Sequence, residues 1–402
     1  MAPHSDRIVF VDDDPQVLQA LELLLLSRKN TWEIHYLTSA QAALELMNHQ
    51  HVDVLVTDMM MPIMDGTTLL SHVVKNHPEI FRVVMSASQD RTRTLQNLDL
   101  IHQYLPKPCN GQALIHAVTR ACELRKLVTH DELKCQIARI HTLPCRPESY
   151  QQLRGLLTRQ PYQHAAISQV IRRDPGMSSK LLQWVNSNFF GINQRVTEVH
   201  HAVNLLGPEL LYDIVEKFNA FNEPSTLSPR QIEYNKLSDH SSRVAAFAKA
   251  IIVGQEHTTP QAAEDAYTAG LLHDVGKLTM VEYFGTRYTQ LMQKSRVAGM
   301  ELRELEISEL GVSHAQVGAY LLGLWGLPDS IIDAVANHDQ PPMPTQDGMT
   351  VQAAVYLANI MDQNEDGPRQ SPNVQAIDPD LLLNHLKMST MGYLDAALSI
   401  AA

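Results

Sequence analysis

No apolar run in this chain approaches the roughly 18 residues a helix needs to cross a bilayer, and the opening Met-Ala-Pro-His-Ser-Asp-Arg has no apolar signal core. The expectation is a cytoplasmic protein with no membrane partner. Basic charge is scarce: 32 Lys and Arg stand against 44 Asp and Glu, a formal net charge of −12, and no Lys/Arg-rich run occurs. That balance argues against nucleic acid as a direct ligand. Cysteine is limited to Cys109, Cys122, Cys135 and Cys145, with neither a CxxC pair nor a dense framework, so reduced thiols are expected rather than a disulfide scaffold. Internal repeats and low-complexity tracts are also missing. A length of 402 residues suggests two or three domains, each able to bury its own core.

What is present is a series of four short signals, each at the end of an apolar run: Val11-Asp12-Asp13-Asp14, Asp58 after Val52 to Thr57, Ser86 after Val83-Val84-Met85, and Lys107-Pro108 after Gln103-Tyr104-Leu105. In open α/β folds ligands gather beyond the carboxyl ends of the strands, so this order reads as a phosphate-accepting site on a doubly wound sheet. Asp12, Asp13 and Asp58 offer hard oxygen ligands for Mg²⁺. Asp58 is the candidate nucleophile, forming an acyl phosphate. Lys107 would neutralise the phosphoryl oxygens and Ser86 would hydrogen-bond one of them. Asp14 has a structural reading, because Asp-Pro ahead of Val17, Leu18, Leu21, Leu24 and Leu25 is a helix N-cap followed by proline at the first helical position.

On these residues, 5–125 resemble a response-regulator receiver domain of two-component signalling. The resemblance implies a flavodoxin-like five-stranded parallel sheet, phosphorylation on Asp58 by a sensor histidine kinase, and Tyr104 as the aromatic that switches with Ser86. It also implies that the Lys107-Pro108 bond is cis. Pro62 and Asp65-Gly66 continue the phosphoacceptor loop.

Past the receiver the text turns helical. Leu114, Ile115, Val118, Ala121, Leu124, Leu127 and Val128 keep helical spacing from about Asn110 to Ile140, so the last receiver helix is expected to run on, with 126–140 as a helical linker. Strands are hard to find beyond it. Helical segments are punctuated by Asp174-Pro175, Asn222-Glu223-Pro224, Pro341-Pro342 and Asp366-Gly367-Pro368. Residues 346–402 read as a C-terminal helical extension, with Leu381 to Leu383 and Leu386 as its apolar positions.

His240, His273-Asp274, His314 and His338 form a suggestive series in this half. Imidazole and carboxylate ligands suit Zn, Mn or Fe, and sites in helical bundles draw ligands from separate helices. Such a divalent transition metal could activate water for phosphodiester hydrolysis, with Lys277 near a phosphate.

Residues 141–345 resemble the HDOD domain, a relative of the HD and HD-GYP phosphohydrolases. Arg173-Asp174-Pro175 to Leu182, Val185-Asn186-Ser187 with Phe190-Gly191, Ala202 to Gly207, and His273-Asp274-Val275-Gly276-Lys277 carry the resemblance, with His314 through Trp325 to Leu327-Pro328. It implies an all-α HD-like domain that is mostly regulatory. His240 matches the first ligand position, and His314 and His338 match later ones. Two departures weaken a catalytic reading: Asn359 stands where a ligand aspartate is expected, and Asn337-His338 replaces a His-His pair. Asp362, one turn after Asn359, is a candidate substitute. The segment from Glu301 to Glu309 reads as a solvated helix face.

The expected function is a response regulator signalling through regulated protein-protein interaction. Its partner would be a downstream signalling protein such as a cyclic di-GMP enzyme, or a second copy in a homodimer. The alternative is a metal-dependent phosphohydrolase acting on cyclic di-GMP or a nucleotide, gated by the receiver.

Overall fold

The structure is a computed structural model, and it describes residues 5–86, 100–187, 195–217, 221, 229–255, 258–342 and 349–365. The anticipated helix near Leu381 and the Phe190-Gly191 part of the HDOD resemblance lie outside these residues. The chain forms two compact units. The first is Met1–His141 with Gln183–Gln194 and Gly323–Gly326, and the second is Thr142–Leu182, Arg195–Leu322 and Leu327–Ala402.

The first unit is built on five strands: β1 (Asp6–Val11), β2 (Trp32–Leu37), β3 (Val54–Asp58), β4 (Phe81–Ser86) and β5 (Gln103–Pro106). They pair in the order β2-β1-β3-β4-β5, every neighbour parallel. This is the doubly wound sheet that the apolar runs predict, in the flavodoxin-like order that the receiver resemblance implies. A parallel sheet covered on both faces needs strands apolar on both sides. Hence β3 and β4 are buried at every position, and Ile8 to Val11 are 0% exposed.

Around the sheet run α1 (Pro15–Leu24), α2 (Ala40–His49), α3 (Gly66–Asn76) and α4 (Gly111–Leu127), followed by the short α5 (Asp131–Ile137). Their starts follow capping chemistry. The Asp14 side chain accepts from Gln16 N with Pro15 at the first helical position, and Ser39, Asp65 and Asn110 cap α2, α3 and α4 in the same way.

The single long helix expected over 110–140 is instead two. Val128 is extended at φ −120°, ψ 117° and fully buried, and His130 is extended before α5 begins. Val128 is β-branched, which disfavours the helix, and the Asp131-Glu132 pair suits a fresh helix N-terminus. The 126–140 segment is therefore only partly helical, and the periodicity through Leu127 and Val128 is a coincidence of spacing.

The described remainder is helical: α6 (Pro147–Leu157), α7 (His164–Arg172), α8 (Pro175–Asn186), α9 (Val199–Leu206), α10 (Pro208–Lys217), α11 (Pro229–Val253), α12 (Pro260–Leu272), α13 (Val275–Phe284), α14 (Thr286–Ala298), α15 (Leu302–Leu310), α16 (His314–Leu324), α17 (Asp329–Ala336) and α18 (Val351–Glu365). In the second unit α11 packs along α12 and α18, and α12 also meets α17. Asp174, from the Arg173-Asp174-Pro175 signature, is wholly buried and accepts from Arg146 N, Met177 N and the Tyr234 hydroxyl. Its role is to fix the entry of α8. Among the described residues no helix is long and apolar enough to cross a membrane, and the four cysteines carry no disulfide.

Candidate functional sites

The carboxyl ends of β1, β3, β4 and β5 are neighbours, which brings the four sequence signals to one edge. Lys107 Nζ lies 2.6 Å from Asp12 Oδ2 and 2.6 Å from Asp58 Oδ1. Both carboxylates are nearly sealed, at 2% and 7% exposure, whereas Asp13 is exposed beside them. Burial alone would lower the Lys107 ammonium, but its bonds to Asp12 and Asp58 hold it above the ordinary lysine value. The second oxygen of each acid is occupied by backbone: Met60 N donates to Asp58 Oδ2 at 2.7 Å and Asp14 N to Asp12 Oδ1 at 3.1 Å. Each side chain is thereby held in one orientation. Asp12 and Asp58, with Asp13 next in the chain, offer the hard oxygen donors that Mg²⁺ takes.

Ser86 closes β4, and its carbonyl accepts from Lys107 N at 3.0 Å and from the Tyr104 hydroxyl at 3.1 Å. Tyr104 is 7% exposed, turned inward. The Lys107-Pro108 bond is cis, as the resemblance implied. The loop after Asp58 is tight. Ile63, a β-branched residue, adopts φ +70°, and a Cβ on Gly66 would lie 2.2 Å from the Asp58 carbonyl oxygen. Only glycine lets α3 begin this close to the acceptor residue.

The second site lies wholly in the helical unit. His240 comes from α11, His273-Asp274 from the α12–α13 junction, His314 from the start of α16 and His338 from just beyond α17. The Asp274 carboxylate is the centre. Oδ2 lies 3.5 Å from His273 Nε2 and 3.7 Å from His240 Nε2, and Oδ1 lies 3.4 Å from His314 Nε2 and 3.5 Å from His338 Nε2. Ligand atoms of His240, His273 and Asp274 lie within 4.8 Å of one another, as do those of Asp274, His314 and His338. All five predicted residues are thus brought together.

The opposite ring nitrogens decide what this arrangement can do. Each Nδ1 faces an atom that can only accept: Gly270 O for His273 at 2.6 Å, Val335 O for His338 at 2.8 Å, Glu306 Oε2 for His314 at 2.7 Å and Asp362 Oδ2 for His240 at 2.6 Å. The Nδ1 proton is therefore engaged on each ring, and the inward-facing Nε2 atoms are the positions left to carry a proton or a metal ion. This is the backing that ligating histidines receive in metal sites. Nε2 of His240 and His273 face each other at 3.2 Å, as do those of His314 and His338. Two lone pairs tolerate that approach only with positive charge between them, a proton or a metal ion.

Asp274 Oδ1 is buried and accepts no hydrogen bond. Burial would raise the Asp274 carboxyl, but His273 and Lys277 hold it well below the usual range. Burial would lower His314, and the Glu306 charge carries it to about 9 instead. Two histidines and one carboxylate oxygen on each side form a donor set for Zn, Mn or Fe.

Two sequence expectations change here. Glu306 is not on a solvated face: it is 0% exposed, accepts from His314 N at 3.0 Å and receives the Tyr288 hydroxyl at 2.5 Å. Its neighbours Glu304 and Glu309 are exposed, so the charge run hid a single inward position. Asp362 does not replace Asn359 as a ligand, because it sits behind the His240 ring and is also held by Arg243 at 2.5 and 3.0 Å. Lys277, the expected phosphate contact, has its ammonium 2.6 Å from Asp274 Oδ2.

Gly276 explains how α13 reaches α16, since a Cβ there would meet the His314 carbonyl oxygen at 1.8 Å and Gly318 N at 2.7 Å. Gly276→Ala is expected to destabilise the helical unit by about 3 kcal/mol, read as a lowered urea midpoint in equilibrium unfolding.

A phosphoacceptor-type strand edge followed by an HD-type helical unit defines the class: a two-component response regulator. The response regulator receiver domain family matches residues 8–119, and the HDOD domain family matches 143–341. The chain is a response regulator with an N-terminal receiver domain and an HDOD output domain. An uncharacterised protein of Treponema pallidum is 25% identical over 62% of this chain and 48% of its own length. Sensor kinase CckA of Brucella abortus is 34% identical over 30% of the chain and 13% of its own length. The chain thus spans about half or less of these curated relatives. Among solved structures, the MmoQ response regulator from Methylococcus capsulatus is 18% identical with a TM-score of 0.47, covering 64% of this chain and 99% of that one.

Proposed function

We propose that Asp58 accepts a phosphoryl group from a sensor histidine kinase and that this event controls the HDOD half. The observation that carries the reading is the Lys107 ammonium 2.6 Å from both the Asp12 and the Asp58 carboxylate. A carboxylate oxygen of Asp58 bonds to phosphorus as the bond from phosphorus to the donor's imidazole nitrogen breaks. Asp12, Asp13 and Asp58 would hold Mg²⁺, which would supply the charge neutralisation that an anionic donor needs there. Lys107 balances the equatorial oxygens once they arrive, Ser86 donates to one of them, and Tyr104, tied to the Ser86 carbonyl, reports the shift.

The test is intact-protein mass spectrometry after incubation with acetyl phosphate and Mg²⁺. The wild type gains a hydroxylamine-labile phosphoryl mass and Asp58→Asn gains none. An equal adduct on Asp58→Asn refutes the assignment.

The output carries two readings. In one, phosphorylation regulates a protein-protein interaction, with a cyclic di-GMP enzyme or a second copy as partner. The second, a metal-dependent phosphohydrolase acting on a phosphodiester such as a cyclic dinucleotide, is favoured by one observation: four histidine Nε2 atoms gathered on the Asp274 carboxylate. A divalent metal held by His240, His273, Asp274, His314 and His338 would supply a water of lowered pKa. Lys277, shared with Asp274, would hold the substrate phosphate.

A further inference from the structure

The amino-terminal edge of the receiver sheet, opposite Asp58, gathers imidazoles that phosphoryl transfer does not use. A cavity of about 230 Å³ opens there between the end of α2 and the turn from α3 into β4, and His49, His51, His77 and Glu79 line it with the buried Met47 and Ile80. We propose that these three histidines and the glutamate bind a divalent transition-metal ion of the zinc type. The site is separate from the helical cluster and independent of the phosphoacceptor reading.

The backbone sets the donors out as two pairs. Gln50 ends α2 in an extended conformation, at φ −139° and ψ 140°. An extended residue leaves the side chains before and after it on one side of the chain, which is how His49 and His51 come to line one cavity. His77 closes α3 at φ −139°, ψ 55°, and Pro78 separates it from Glu79. Proline fixes its own φ and restricts the residue before it, so the His77-Pro78-Glu79 turn is stiff.

The chemistry of the wall suits a cation. No lysine or arginine lines the cavity, and Glu79 is the one carboxylate on it. Three imidazole nitrogens and a carboxylate oxygen make a donor set for a tetrahedral ion such as Zn²⁺. Two of the donors are backed. His51 Nε2 lies 3.1 Å from Asp53 Oδ1, the kind of carboxylate backing that orients ligating imidazoles. Asp53 is shared with Arg125 at 2.9 Å, so part of its charge remains for the ring. The Cys135 thiol donates to Glu79 Oε2 at 3.2 Å, and burial together with Glu79 pushes that thiol up to about 11, so it stays a donor.

Among the described residues, the groups of donors that already lie within 4.8 Å of one another are those of the helical cluster. The receiver site therefore closes by rotation of its rings, and the exposed His49 and His51 have room to turn. Ordering them costs rotamer entropy, so the ion is expected to bind reversibly and to leave in EDTA. Bound, it ties the segment entering β3 to the segment entering β4.

The experiment uses the full-length chain, with zinc as the probe. Carbethoxylation of the wild type by diethyl pyrocarbonate, read peptide by peptide by mass spectrometry, is expected to fall at His49, His51 and His77 when Zn²⁺ is present and to return with EDTA. His72, exposed on α3 and outside the cavity, keeps its reactivity. Equilibrium dialysis of Asp274→Asn, whose helical cluster lacks its shared anion, then compares ligand variants. His77→Ala in that background is expected to weaken the remaining zinc binding at least about tenfold, the loss that even a backing residue causes. Gln50→Ala, on the same cavity wall, leaves it unchanged.

Unchanged carbethoxylation of the three histidines overturns the proposal, as does equal zinc affinity with and without His77 or an equal loss in Gln50→Ala. Zinc at the helical cluster is read separately, from the difference between the wild type and Asp274→Asn, so either site can fail alone.

Discussion

Zinc is expected to raise the melting temperature of the helical half by about 5–10 °C, and Asp274→Asn is expected to abolish the shift. A ligand that binds only the folded state at about 100 times its Kd adds roughly 2.7 kcal/mol, and for a unit of this size each kcal/mol moves Tm by about 2–4 °C. Asp274 is the residue to remove because its two oxygens face both histidine pairs, at 3.4 to 3.7 Å. Asparagine keeps the volume but supplies one neutral oxygen in place of two charged ones, so both halves lose their only shared anion. Calorimetry with and without zinc measures the shift, and the phosphohydrolase reading predicts that turnover of a model phosphodiester with Mn²⁺ is lost in the same variant. A shift that survives Asp274→Asn places the zinc elsewhere among the 19 histidines of the chain.

The receiver site was readable from sequence because its chemistry is local to strand ends. Asp12, Asp58, Ser86 and Lys107 each follow an apolar run, and a parallel sheet in the order β2-β1-β3-β4-β5 leaves those ends side by side. The helical site was readable only as far as its ligands. His273 and Asp274 interrupt the apolar text from Ala269 to Val275, which marks them as special, whereas His240, His314 and His338 were placed by the HD resemblance. Glu306 carried no such mark. It lies in a run of acidic residues whose other members face water, and its inward direction depends on Tyr288 and His314 arriving from other helices.

Asp362 was visible as an acid one turn from Asn359, but spacing along one helix does not say which side of the His240 ring it reaches. The break at Val128 was hidden for a related reason. A buried extended valine and a buried helical one look alike in a pattern of apolar positions.

Arg125 shows how a buried charge couples the end of α4 to the sheet, and Arg125→Ala is expected to destabilise the receiver by about 3–5 kcal/mol. Its guanidinium, 4% exposed, donates through Nε to Asp53 Oδ1 at 3.0 Å and lies 3.2 Å from His51 Nε2, with Nη1 on the Glu79 carbonyl. Asp53 also accepts from Arg7 N at 2.7 Å. Removing the arginine leaves a nearly buried carboxylate short of a partner, a large loss against the roughly 5–15 kcal/mol that holds a domain together. Asp53→Asn in the same chain should recover part of it, since the amide oxygen keeps the Arg7 N–H without the stranded charge.

Burial pushes the Asp53 carboxyl up, but His51, Arg125 and the Arg7 N–H outweigh it and hold the group well below the ordinary carboxylate value. A carboxyl depressed on folding adds stability that is complete above its unfolded pKa, about 4, and is lost as pH falls through the folded value. Urea midpoints should therefore fall more steeply with acidification below about pH 4 in the wild type than in Asp53→Asn. These residues lie at the amino ends of β3 and β4, the edge opposite Asp58, so Arg125→Ala should still take a phosphoryl group from acetyl phosphate while it unfolds at lower urea. Loss of phosphorylation in a folded Arg125→Ala chain would mean that the two edges of the sheet are coupled.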